Sequence, residues 1–423
     1  MRRGNGKMKK YLIIGNSTAA VGCIEGIRSA DKEGEITVIS KENRHTYCRP
    51  LISYYLEGKT DLERIKYRPD SFYEENGVKV LYDRSAEKID SAKKTVTLED
   101  GTSLPYDELC VAAGSSPFVP PADGFEKVKN KLCFTTLDDA LTLEKIADKN
   151  SRVLIIGAGL IGLKCAEGLF ERVKKITVCD LADRVLSTIL DKESSSIVEK
   201  RLEANGIDLV LNDCAVRYEA NKAFMKSGKE IEFDVLVTAV GVRPNAKLVS
   251  DAGGKCGRAI TVDEHMKTSL ESVYAAGDCT ESVDISDGST KVMALLPNAY
   301  MQGFCAGVNM AGKEQVFDNA IPMNSIGFFG VHIMTAGSRP QESDGAVIFE
   351  EKGEYTLKKL FIKDNRLVGF ILIGKTERAG IYTGMIRNKT DIASVDFERL
   401  QKCADLSAFS KQWRKEKLGG VLQ

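Results

Sequence analysis

Gly157-Ala158-Gly159-Leu160-Ile161-Gly162 is a complete G-x-G-x-x-G. In such a run the first glycine permits a tight turn. The second lets the backbone approach a pyrophosphate, and the third lets helix and strand pack closely. A helix opening there offers unpaired N–H groups and a partial positive charge to phosphate. Asp180 follows 18 residues after Gly162, at the end of a β-branched run. A carboxylate at that point accepts a hydrogen bond from a ribose 2′-OH and repels a 2′-phosphate, which favours NAD(H) over NADP(H). Gly241 closes the apolar run VLVTAVG and joins this candidate set. A second, degraded copy stands upstream. Gly15-Asn16-Ser17-Thr18-Ala19-Ala20 keeps the first glycine, with Ser17 and Ala20 at the other two places. Both substitutes are small, and Ser17 adds a hydroxyl donor. Glu42, 22 residues after Ala20, is the matching ribose candidate.

These residues need βαβ units to position them. Lys10–Ile14 is a short apolar run meeting Gly15, and Ala20, Val21, Ile24 and Ile27 then recur at helical spacing before the strand-like EITVIS. The arrangement repeats 142 positions later, with Arg152–Ile156 meeting Gly157. Each unit has a further apolar strand ending in glycine, at Gly114 and at Gly241. The expected fold class is α/β: two doubly wound Rossmann-like nucleotide-binding domains plus a small C-terminal α+β domain. Pro117, Pro120 and Pro121 mark one crossing and Arg243-Pro244-Asn245 the other. The boundaries predicted are 8–121 with 247–320 for the first domain, 122–246 for the second and 321–423 for the third. In the third, the runs either side of Lys363-Asp364-Asn365 predict a hairpin, and Ala379, Ile381, Tyr382 and Met385 a helix.

The 423 residues carry 60 Lys and Arg against 60 Asp and Glu, so no global basic field would hold nucleic acid. Eleven cysteines are scattered singly, with no C-x-x-C, and the three histidines lie far apart. That pattern argues against a disulfide framework and predicts no protein-ligated metal. Thiols without a framework suit a reducing compartment, and the first apolar run is too short for a signal peptide after the basic start, so a cytoplasmic location is expected. Ala320–Ser338 is uncharged for 19 residues but contains Pro322, Asn324 and three glycines, which reads as buried strands with a turn rather than a membrane span. The tail Lys411–Lys417 is basic around Trp413, the only tryptophan.

Val273-Tyr274-Ala275-Ala276-Gly277-Asp278 completes an ordered series. With Gly15–Ala20, Ala112-Ala113-Gly114-Ser115-Ser116-Pro117, Gly157–Gly162, Gly241-Val242-Arg243-Pro244-Asn245, and Pro297-Asn298-Ala299 followed by Gln302-Gly303, the chain resembles the FAD-dependent pyridine nucleotide oxidoreductases over nearly its whole length. The resemblance implies FAD on the first unit and NAD(H) on the second. It implies that Asp278, beside Gly277, holds the ribityl chain, and that a helix opening near Ala299–Gln302 aims its N-terminus at the flavin. A helix N-terminus there would stabilise the negative charge of reduced flavin. Ala113 and Gly114 belong to the same FAD set.

The stretch Tyr47-Cys48-Arg49-Pro50-Leu51-Ile52-Ser53-Tyr54 lacks the C-x₄-C of the disulfide reductases. It is more similar to NADH:rubredoxin reductases and to the flavin part of assimilatory nitrite reductases, and the run Asn365–Gly374 resembles the C-terminal domain of that group. By that resemblance Arg49 and Pro50 contact FAD. Hydride passes from NADH to flavin N5, and single electrons pass to an iron–sulfur carrier of ferredoxin or rubredoxin type, or the reverse. Two other readings stay open: an NAD-coupling subunit of a larger iron–sulfur enzyme, and a thiol-dependent NADH oxidase, peroxidase or CoA-disulfide reductase using Cys48. A homodimer and a place in a larger complex are both compatible with the sequence. A second departure is Lys164, where the family usually has Glu. Its ammonium would either stabilise reduced flavin or cap a packed stem.

Overall fold

The computed structural model describes residues 8–418; the basic start before Met8 lies outside them. Strand β1 (Lys10–Ile14) is buried along almost its whole length because sheet and helices cover both faces. Helix α1 (Thr18–Ala30) follows, then β2 (Glu35–Ile39), the short α2 (Ile52–Leu56), β3 (Val78–Leu81) and β4 (Glu108–Val111). With a strand from much later in the chain, Val273–Ala275, they form one parallel sheet, in which β1 lies between β2 and β4 and Val273–Ala275 flanks β4.

The chain leaves this sheet through β5 (Ser115–Pro117), and the second sheet follows: β6 (Lys131–Cys133), β7 (Arg152–Ile156), helix α3 (Leu160–Leu169), β8 (Lys175–Asp180), helix α4 (Lys192–Ala204), β9 (Ile207–Leu211) and β10 (Val235–Thr238). Its order, β9-β8-β7-β10-β6, reproduces the first sheet strand for strand, again all parallel. The return strand β11 (Val242–Pro244) pairs antiparallel with β5, so both crossings run side by side. Asn245 fastens them: its Nδ2 donates to Ala113 O at 2.9 Å and its Oδ1 accepts from Ser116 Oγ at 2.8 Å.

After β12 (Val273–Ala275) comes α5 (Leu296–Met310), which opens three residues earlier than the sequence suggested. Pro297 fits there because the first turn has no use for its missing N–H. Helix α5 lies backbone-to-backbone on α1. A Cβ on Gly22, Gly26, Gly303 or Gly307 would come within 2.3, 2.3, 2.0 or 2.1 Å of a carbonyl oxygen of the facing helix.

The C-terminal part is a five-stranded antiparallel sheet, β13 (Met323–Phe328), β14 (Val331–Gly337), β15 (Val347–Lys352), β16 (Leu357–Lys363) and β17 (Arg366–Ile373), in the order β13-β14-β17-β16-β15. Helix α6 (Ala379–Arg387) packs on it, and α7 (Lys411–Leu418) ends the described chain. The hairpin turn is Asp364-Asn365, both at positive φ, as the sequence pattern requires. The uncharged run became β13 and β14 with a turn at Phe329-Gly330. Among the described residues no helix is long and apolar enough to cross a membrane.

Candidate active site

Both glycine turns sit at the carboxyl ends of central parallel strands, where open α/β sheets place their ligands. Gly15 has φ +110°, and a Cβ on it would lie 2.1 Å from Ala112 O at the end of β4. Ser17 is the N-cap of α1, and its side chain makes no capping bond, so its hydroxyl is not spent on the helix. Ala20, the third position, is fully buried. Asn16 accepts from Tyr73 Oη at 2.6 Å and donates to Arg44 O at 3.2 Å. Thr18 Oγ1, at the mouth of α1, and Thr46 Oγ1 are buried without a hydrogen-bond partner. Buried hydroxyls in that state point to a polar group that is not part of the chain.

Glu42, beyond β2, pairs with Arg49 and accepts from Tyr47 Oη at 2.7 Å. Arg49 also donates to Thr135 O at 3.0 Å. Burial works against its charge, but Tyr47, Glu42 and Asp278 more than offset this and raise its pKa. Pro50 fixes the short helical turn Arg49–Leu51. Asp278 accepts from Ser115 Oγ at 3.2 Å. Burial pushes its carboxyl upward, and Ser115 and Arg49 only partly counter this. A bound hydroxyl donor would relieve that carboxylate. Gly277 has φ +83°, and its N–H donates to Gln302 Oε1 at 2.8 Å, while Gln302 Nε2 donates to Ser282 Oγ at 2.6 Å. Gln302 thereby shapes the Gly277 loop and keeps one amide N–H. Ala299 lies in the first turn of α5, against Gly277. Ala113 and Gly114 line the exit from β4, their carbonyls accepting from the Asn245 side chain and backbone.

The second turn is barer. Gly157 has φ +116° and faces Ala239 O at 2.3 Å; Gly162 faces Gly157 O at 1.9 Å; Gly159 has nothing within 4 Å of where a Cβ would be. The middle glycine thus keeps room open, the cradle a pyrophosphate needs. Gly241, φ +113°, likewise borders open space. Asp180 closes β8 and binds the turn itself, accepting Ala158 N–H at 2.6 Å and Ala182 N–H at 2.8 Å. It spends one lone pair of each oxygen and keeps others for a ribose hydroxyl.

Lys164 and Cys48 behave differently from these. Lys164 on α3 pairs with Glu167 one turn on, reaches Gly327 O at 3.4 Å and lies 4.4 Å from the Tyr54 ring centroid. Glu167 in turn accepts Phe329 N–H at 2.7 Å. This buried pair ties α3 to α2 and to the β13–β14 turn. Cys48 makes backbone contacts only, to Ile65 O and Leu51 N–H, and burial pushes its thiol pKa up. Such a thiol is held protonated and poorly nucleophilic. Asn16, Tyr47 and Glu167 were not singled out from sequence. Of these, only Glu167, three residues after Lys164, carried a local signal.

Two parallel sheets of equal order, each with a glycine turn and an acid at or beyond the end of the neighbouring strand, make a chain of two dinucleotide-binding units. Residues 9–303 match the family described as pyridine nucleotide-disulphide oxidoreductase, and residues 322–390 match the rubredoxin NAD+ reductase C-terminal domain. The chain is 32% identical over 391 residues to the NADH-dependent phenylglyoxylate dehydrogenase subunit epsilon of Aromatoleum evansii, covering 90% of this chain and 92% of that one. It is 30% identical over 394 residues to an NAD(P)H nitrite reductase of Bacillus subtilis, covering 91% of this chain but 48% of that protein, so it spans about half that relative's length. The solved structure of an NAD-dependent persulfide reductase from A. fulgidus superposes with a TM-score of 0.84 at 27% identity, covering 92% of this chain and 78% of that one. The chain belongs to the pyridine nucleotide-disulphide oxidoreductase family and is an oxidoreductase working with FAD and NAD(H). The orphaned hydroxyls and the open space at Gly159 fit those two groups.

Proposed function

We propose that the chain oxidises NADH and passes electrons singly to an iron–sulfur protein of ferredoxin or rubredoxin type, or runs the same path in reverse. When bound, FAD supplies the chemistry that takes electrons in a pair and releases them one at a time. Gly15, Ser17, Ala20, Glu42, Arg49, Pro50, Ala113, Gly114, Gly277, Asp278 and Ala299 would hold it, with Gln302 acting through Gly277. Gly157, Gly159, Gly162, Asp180 and Gly241 would hold NAD(H). Residues 8–121 with 247–320 are assigned as the FAD domain, 122–246 as the NAD(H) domain, and 321 onward as the interface domain.

The observation that carries this reading is the state of Cys48. A thiol relay needs a thiolate, and burial raises this pKa more than the Leu51 N–H lowers it. The rubredoxin-reductase character of residues 322–390 supports the same choice. The test is NADH-driven reduction of ferredoxin, rubredoxin, oxygen, peroxide and disulfides, with wild type and Cys48→Ser. Fast reduction of an iron–sulfur carrier, unchanged in the variant, is expected. Peroxide or disulfide turnover that outruns every carrier and dies with Cys48 would overturn the reading.

A second reading makes the chain the NAD-coupling subunit of a larger iron–sulfur enzyme. The relative at 32% identity over nearly its full length, itself an enzyme subunit, favours it. Stable co-purification with iron–sulfur subunits from the native source distinguishes the two.

A further inference from the structure

A cavity of about 430 Å³ opens where three parts of the chain meet, and no residue of either glycine turn lines it. One wall is the loop Arg184–Asp191 after β8, another is Asp287 and Lys291, and the third is the β13–β14 end of the C-terminal sheet with Ser338 and Arg339. Its volume falls within the range of small-ligand pockets, roughly 300–1,000 Å³.

The cations on these walls are not equivalent. Lys291 is neutralised by Asp284 at 2.8 Å and Asp287 at 2.9 Å, and Arg184 leans on Asp183 at 2.6 Å. Arg339 has no carboxylate within 4 Å among the described residues; its one hydrogen bond, at 2.5 Å, goes to Thr188 O. Burial depresses its pKa; Asp191 counters in part, and Arg184 adds repulsion. A half-buried guanidinium with most of its five N–H groups unused has no carboxylate bonded to it.

We infer that this cavity binds a small phosphate-bearing ligand, gripped by Arg339 with Arg184 as the second cation. Phosphate suits the geometry better than carboxylate. A tetrahedral dianion can offer two oxygens to one guanidinium and others to a cation on the opposite wall, whereas a planar carboxylate is spent on one fork. Ser187, Ser338 and Asn324 supply hydroxyl and amide groups for the rest of the ligand. None of the residues assigned to NAD(H) above lines this cavity, and the inference does not depend on the identity of the electron acceptor.

The test is isothermal titration of the full-length, FAD-loaded protein with pyrophosphate and with AMP, in saturating NAD+ so that the dinucleotide site is filled. One equivalent should bind wild type. Arg339→Ala should weaken binding about tenfold or more, because a charge-assisted fork is lost. Arg339→Lys should retain part of the affinity and an unchanged melting temperature, which separates binding from folding. Three results would each overturn the inference: no heat at millimolar ligand, equal affinity in Arg339→Ala, or abolition of binding by NAD+, which would make the cavity the outer end of the dinucleotide site.

Discussion

Gly15 and Gly157 occupy the same place in two sheets of the same order, and the same obstacle forces each of them. A Cβ would meet the last carbonyl of the adjacent strand at 2.1 Å in one and 2.3 Å in the other. Beyond that point the units part. In the second, Gly162 lets α3 close onto its own turn, and no side chain fills the space at Gly159. In the first, Ala20 stands where Gly162 does, and the glycines have moved one face round the helix. Gly22 and Gly26 meet the backbone of Tyr300 and Phe304 of α5, and Gly303 and Gly307 of α5 meet that of Ala19 and Cys23 instead. Close approach is conserved as a physical need while its partner changes, from strand and turn to a neighbouring helix. The reward differs too: the first unit fixes α5, whose first turn lies against Gly277, and the second leaves its turn open.

The largest effects should come from the shared position. Gly15→Ala and Gly157→Ala each impose a positive φ and a backbone clash, so each should cost about 3 kcal/mol or more. Thermal melting checks the cost and absorbance checks the flavin. Gly15→Ala should lose bound flavin, whereas Gly157→Ala should keep it and lose NADH turnover. Equal flavin content in both would break the assignment of the two units.

The units also differ in what they carry. The second unit anchors the C-terminal sheet. Arg201 donates to Phe329 O at 2.7 Å, and Lys359 of β16, almost wholly buried, reaches Asp191 at 2.9 Å and Glu193 at 2.8 Å at the start of α4, as well as Glu350 at 2.9 Å. Lys359→Met should cost about 2 kcal/mol, since the carboxylates it strands are partly open to water and Glu193 keeps Lys352. Lys352 and Lys359 together hold the Glu193 pKa down to about 2 from an ordinary 4.5. A depressed carboxylate contributes stability above its unfolded pKa and loses it as pH falls toward the folded one. Wild type should therefore lose melting temperature between pH 4.5 and 2 more steeply than Lys359→Met. Parallel profiles would place the anchor elsewhere.

The acids give a smaller contrast. Asp180 holds its own turn through Ala158 N–H, while Glu42 is held by Arg49 and Tyr47. Asp180→Ala should narrow the NADH-over-NADPH preference by about tenfold, as a hydrogen bond and a repulsive charge go together. Steady-state kinetics with both nucleotides decide it, and a wild type that prefers NADPH would sink the assignment.

Much of this was legible in the residues. Apolar runs meeting glycine gave β1, β7 and both turns, and the Asp364-Asn365 pair gave the hairpin, because each signal is local. The long-range pairings were not. Gly303 against α1, Glu167 against Phe329 and Lys359 against Asp191 join residues more than 150 positions apart, and nothing in a neighbouring residue type announces them. The resemblance led to Gln302, but its buried bonds to Gly277 and Ser282 are invisible without the fold. Lys164 was singled out as a departure; its partner Tyr54, from α2, emerges only in three dimensions.

The smallest effect should separate the second positions. Ser17 and Gly159 are both N-caps in extended backbone; the Ser17 hydroxyl makes no capping bond, and Gly159 has no side chain to make one. A free hydroxyl at an N-cap usually bonds the backbone N–H two or three residues on. Ser17 forgoes that bond, which leaves its hydroxyl and the helix N–H groups both directed to a ligand. Ser17→Gly would therefore remove one donor to the FAD pyrophosphate and add little strain, since glycine is a tolerated N-cap within a few tenths of a kcal/mol. Melting temperature of the flavin-free protein should stay put, and FAD affinity should fall about fivefold, the worth of one hydrogen bond of about 1 kcal/mol. In the second unit the reverse change, Gly159→Ser, enters open space, so folding should again be unaffected, but the side chain would occupy the pyrophosphate's approach and raise the KM for NADH. If Ser17→Gly binds FAD as wild type does, the first turn works by small size alone, as the second does, and the hydroxyl contributes nothing to the difference between them.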